Sequence, residues 1–131
     1  MTNKEIKSLS SIPDLILHGL IYNEDFFRKV IPFVKKEFFE DDNQKIVFDE
    51  IQAFEKQYSA RPTPSSLFVS LEKRKGLSEN QLKECVQLID DINHHQESNT
   101  RVETEWLVDV SEKWVKDRAF FNVLMVAAEA V

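Results

Sequence analysis

The chain has 131 residues, enough for one domain that buries roughly two-thirds of its extended surface. Apolar residues make up 42%, including ten Phe and two Trp, so a disordered polar segment is excluded. Two glycines and four prolines are too few for the repeated tight turns of a β-sandwich or barrel, which leaves an all-α chain. Seventeen basic residues against 23 acidic give a net charge of −6, so the domain as a whole does not attract phosphate backbones and is not expected to be a main DNA clamp. Cys85 is the sole cysteine, which rules out an internal disulfide and agrees with a reducing cytoplasm.

The expected fold is a compact bundle of about five short helices followed by one long C-terminal helix. Residues 1–11 read as a flexible lead-in. Asp14 and His18 interrupt the apolar stretch from Ile12 to Ile21, so neither a signal peptide nor a membrane span is expected. Ile12, Leu15, Ile16, Gly19 and Leu20 then recur at helical spacing, with Pro13 tolerated in the first turn. Asn23 caps a second helix, whose stripe is Phe26, Phe27, Val30 and Ile31, and Pro32 stops it. Beyond the Phe33-Val34 and Phe38-Phe39 pairs, Asp42 to Tyr58 form a third helix with Val47, Ile51, Phe54 and Tyr58 as its buried stripe.

Thr63 and Pro64 begin a fourth helix carrying Leu67, Phe68 and Leu71, with Gly76 as its stop. Ser78 and Gln81 form the capping box of a fifth, whose core face is Leu82, Cys85, Val86, Ile89 and Ile92, with a polar exit from His94 to Thr100. These elements make up a globular unit over 12–101. The segment 102–131 has no Gly or Pro and reads as one long helix with an apolar seam of Trp106, Val110, Trp114, Phe121, Leu124 or Met125, and Ala128. Asp109 with Lys113 and Glu112 with Lys116 support its exposed side. The pattern stops at Val131 without a cap, so the expectation is a chain cut short of its full domain.

Several residues carry alternative chemistry. Asp90, Asp91, His94 and His95 have metal-ligand spacing, but no Glu-x-x-His on another helix complements them. A solvated helix end is the preferred reading, and no bound metal is expected. His18 and Cys85 read as packing residues rather than a nucleophilic pair, and Ser10, Ser11, Ser65 and Ser66 as helix caps. Lys35-Lys36 and Lys73-Arg74-Lys75 are short basic patches flanked by acids, read as solvated surface. Trp106, Val110 and Trp114 are expected to complete the core, leaving Phe120, Phe121, Leu124 and Met125 as a self-association or partner surface.

The order of these features resembles the N-terminal domain of DnaB-type replicative DNA helicases. The likeness rests on Leu17-His18-Gly19-Leu20-Ile21-Tyr22-Asn23, the pair Phe38-Phe39, Ile46-Val47-Phe48, Pro62 to Leu71, and Asp117-Arg118-Ala119. Phe27-Arg28-Lys29-Val30-Ile31-Pro32-Phe33, Glu37-Phe38-Phe39-Glu40 and Asp117 to Asn122 resemble the branch of that family found in T-even phages.

This resemblance implies a collar and docking domain of a hexameric ring, with the long helix as the first arm of a helical hairpin. The second arm and an ATPase domain are expected in the parent. Implied partners are a second copy of the chain, as a dimer or within the ring, and primase of the primosome. DNA would be held mainly elsewhere, with no membrane involved and the host cytoplasm as location if the chain is phage-encoded. The parent would use ATP and Mg. This chain has only Gly19 and Gly76 and lacks the G-x-x-x-x-G-K-[ST] cradle, so no catalytic or cofactor residues are expected in it. A free-standing helical adaptor is the alternative function, and a small metal enzyme built on Asp90 to His95 a remote third.

Overall fold

The computed structural model describes residues 11–97 and 103–130. Among them are six α-helices, one 3-10 turn and no strand, so the all-α expectation holds, long final helix included. The helices are α1 (Ile12–Tyr22), α2 (Glu24–Val30), α3 (Asp42–Tyr58), α4 (Pro64–Lys73), α5 (Glu79–Glu97) and α6 (Thr104–Glu129). The 3-10 turn is Lys36–Phe38, between α2 and α3.

Local chemistry starts the helices where the sequence places their caps. Ser11 Oγ accepts from the Asp14 amide, so Ser11 belongs to α1, and the remainder of the anticipated lead-in lies outside the described residues. Asn23 Oδ1 accepts from Phe26 N at 3.0 Å, and Asp41 Oδ1 accepts from Asn43 N and Gln44 N at the start of α3. Thr63 with Ser66, and Ser78 with Gln81, form reciprocal capping boxes that satisfy amides having no partner within the helix.

Two helix ends differ from expectation. The fourth helix stops at Lys73, with Arg74 extended beyond it, so Gly76 shapes the following turn (φ +89°) rather than the cap itself. The fifth continues through His94 to Glu97, past Ile92, its last core residue among those described.

One apolar core joins the elements. Helix α1 packs on α2, α3, α5 and α6, while α3 and α5 also pack on each other and on α4. Ile16, Leu17, Leu20, Phe26, Val30, Phe39, Val47, Phe48, Ile51, Ile89 and Ile92 are essentially inaccessible. Gly19 lets α2 approach closely: a Cβ placed there meets Phe26 Cδ2 at 2.5 Å. The stripe of α3 corrects one expectation. Phe48 enters the core, whereas Tyr58 is 59% exposed and stacks on Phe54 with ring centroids 4.7 Å apart. In the last turn of α3, Tyr58 lines an open groove shared with Ser66 and Val69 of α4 instead of entering the core.

Candidate docking surface on the long helix

At 1.5 Å per residue the 26 residues of α6 span about 39 Å, longer than the side of the body that receives it. Its start is tied to the body by a side-chain hydrogen bond. Asn23 Nδ2 donates to Thr104 Oγ1 at 2.8 Å, so one side chain both caps α2 and anchors α6, and Tyr22 Oη donates to Asn93 Oδ1 on the neighbouring α5. Leu107 and Ser111 are buried, while Val108, Val110, Trp114 and Val115 are partly buried against the core.

This arrangement corrects the sequence seam. Trp106 is 47% exposed and does not complete the core. Two runs along α6 satisfy helical spacing and share Trp114. One passes through Trp106 and Val110, and the other through Leu107 and Ser111. Choosing by hydrophobicity favours the first, but the small Ser111 allows the close helix approach that the body requires, and the second is buried.

Farther along, Trp114 packs on the aromatic pair of the 3-10 turn, with ring centroids 6.3 Å from Phe38 and 5.1 Å from Phe39. Arg118 Nε donates to Phe38 O at 2.8 Å, and Asn122 Nδ2 donates to Glu37 O at 3.2 Å. Asn122 is the last residue of α6 with a hydrogen bond to the body among the described residues. Phe120 (65%), Phe121 (44%), Leu124 (50%) and Met125 (47%) are all exposed, as are Val123 and Val126. Phe121 has a partner within the chain, since the Arg118 guanidinium lies 4.9 Å from its ring centroid.

The outward face changes character along its length. Asp109, Glu112, Lys113, Lys116 and Asp117 line the first part, with a Lys113–Asp117 ion pair at 3.0 Å. From Phe120 onward the same face carries Phe120, Val123, Leu124 and Ala127, while Met125 and Val126 occupy the body side past the point where the body ends. With only Asn122 and Glu129 as polar side chains, a helix segment this apolar favours a covering partner in water. Val123 and Val126 belong to this exposed set and were missed by the sequence reading, which followed one seam rather than the whole circumference.

Other candidate residues do not assemble a chemical centre. Cys85 is buried, with its sulfur against Asn43, and burial pushes its thiol pKa up, the reverse of an activated nucleophile. His18 instead rests against Tyr22, with centroids 5.2 Å apart. Asp90 and His94 are exposed near the end of α5, the His95 side chain lies outside the described residues, and no group of three or more metal-ligating side chains converges among those described. The basic patches need one correction. Arg74 is not free surface: its Nη1 binds Asp49 at 2.9 Å and Glu50 at 2.8 Å, and Lys36 reaches the same Asp49 at 3.9 Å. The fold thus brings one residue of each basic run, Lys36 and Arg74, onto the same carboxylate of Asp49, while Lys35, Lys73 and Lys75 stay exposed. Among the described residues no helix is long and apolar enough to cross a membrane.

No family model matches the sequence. Over 109 residues, 83% of its length, the chain is 31% identical to a DnaB-like replicative helicase of Enterobacteria phage T4. The chain matches a fragment of a DnaB-like replicative helicase. It spans 22% of that relative's length. The similarity to the DnaB-like helicase covers most of a chain whose conspicuous surface feature is the uncovered apolar end of α6.

Proposed function

We propose that this chain is the N-terminal collar and docking domain of a hexameric, ATP-dependent replicative DNA helicase, acting in DNA replication by helping the ring assemble and by offering primase a surface. Its contribution is binding energy. ATP with Mg, and most contacts to DNA, belong to other parts of the whole protein, which works in the cytoplasm of the host cell. In this reading 12–101 form the body, and 102–131 form the first arm of a hairpin that completes the core and then reaches toward neighbouring subunits.

The observation that carries the reading is the conversion of α6's outward face from charged to apolar at Phe120, next to the end of its attachment to the body at Asn122. Similarity to the DnaB-like helicase supports the assignment to replication. Burying Phe120, Leu124 and Met125 between copies is worth about 1.5–3 kcal/mol each, which offsets much of the entropy lost on association.

Sedimentation velocity over a concentration series tests this. The wild-type chain is expected to show a monomer–dimer equilibrium that Leu124→Asp and Phe120→Asp each abolish. Val69→Asp, at a residue of similar exposure on α4, should leave it intact. Phe121→Asp is a less clean probe, because the Phe121 ring also faces Arg118. A wild-type chain that is monomeric throughout, or association indifferent to both charges on α6, rejects the self-association surface and favours a helical adaptor for another protein.

A further inference from the structure

We propose that Arg118 is the positioning residue that fixes the direction in which the apolar end of α6 is presented; the inference rests on the docking role of that end. Arg118 lies eleven residues after Leu107, three turns farther along the body-facing side of the helix. Its side chain is only 17% exposed and meets three separate structures. Nε donates to the Phe38 carbonyl at 2.8 Å, Nη1 lies 3.7 Å from the Glu40 carboxylate, and the guanidinium carbon lies over the Phe121 ring, 4.9 Å from its centroid. One turn on, Asn122 takes the Glu37 carbonyl.

A guanidinium suits this place because it is planar, permanently charged and forked, so it can donate to a carbonyl, pair with a carboxylate and stack on a ring without moving. The carbonyls it and Asn122 hold belong to the 3-10 turn, which is fixed from below by buried Phe38 and Phe39 against Trp114. Helix rotation and tilt are therefore set by a rigid support immediately before the helix leaves the body. Leu124 lies six residues beyond Arg118, about 9 Å along the axis, so angular freedom at Arg118 becomes displacement of the docking face. Association by a face held in one direction costs less ordering entropy than association by one that swings.

The test compares wild type with Arg118→Lys, which keeps the charge but not the fork, and Arg118→Gln. Nitroxide labels on Glu72→Cys and Ala127→Cys, in a Cys85→Ala background, report the distance between α4 and the end of α6 by pulsed electron resonance on dilute protein. Association is measured separately on unlabelled chains. Both variants should retain helical circular dichroism, broaden the distance distribution, and associate about tenfold more weakly, the scale expected when ordering of the face is charged to binding. An unchanged distribution in both variants overturns the proposal whatever association does. Broadening with undiminished association also overturns it, because presentation would then be irrelevant. If the wild-type chain does not associate, the docking reading fails on its own, while the distance measurement still decides whether Arg118 sets the direction.

Discussion

Gly19→Ala examines the closest helix approach in the body. The added Cβ would stand 2.5 Å from Phe26 Cδ2, 2.7 Å from Cε2 and 3.1 Å from Cγ, three atoms of a ring that is wholly buried. The ring has little room to yield, because Phe26 lies in the first turn of α2 and its amide is held by Asn23. Overpacking of this kind costs about 1–3 kcal/mol, and a clash shared by several atoms of an immobile ring belongs in the upper half of that range. Alanine recovers up to about 1 kcal/mol over glycine in a helix interior. The expected net loss is therefore about 1–2 kcal/mol, a fall in Tm of roughly 3–8 °C for a domain of this size. Urea denaturation followed by circular dichroism measures it, and Phe26→Leu provides the partner for a double-mutant cycle. If the clash is the cause, the double variant loses less than the sum of the single losses. A Gly19→Ala chain as stable as wild type, or strictly additive losses, refutes the close-approach argument.

Two further outcomes concern single buried groups. Ser111 Oγ is buried with no hydrogen-bond partner among the described residues, so Ser111→Ala should stabilise the chain by about 1 kcal/mol in urea denaturation, and a loss of similar size would mean the hydroxyl is bonded. Burial raises the carboxyl pKa of Asp14 despite the hydrogen bond from Gln44 Nε2 at 2.8 Å. Its protonated form is thus favoured by folding. The resulting stability is fully present below the unfolded pKa and is lost as pH rises through the folded pKa. Asp14→Asn retains an oxygen for Gln44, so its stability relative to wild type should increase between acidic and neutral pH in denaturation curves; a decrease would reverse the assigned sign.

Much of the fold was legible because its determinants are local. Asn23, Thr63 and the Ser78–Gln81 pair act on amides two or three residues away, and the apolar stripes of α1, α4 and α5 repeat within a single helix. The uncovered end of α6 was legible for the same reason: from Phe120 to Val131 only Asn122 and Glu129 are polar, too few to cover the apolar side chains around them. Which α6 residues enter the core was not legible, since Trp106–Val110–Trp114 and Leu107–Ser111–Trp114 have equally helical spacing.

By itself, then, the sequence determined that the chain is helical, where most of its helices begin, and that one long apolar-ended helix closes it. Tertiary structure decided the rotation of that helix, the burial of Ser111 in place of Trp106, the exposure of Tyr58, the capture of Arg74 by Asp49 and Glu50, and the convergence of Arg118 with a turn 80 residues away. Periodicity defines a face only up to rotation about the helix axis. The choice among rotations depends on which side chains are small enough, or forked enough, to meet the neighbours that folding brings to them.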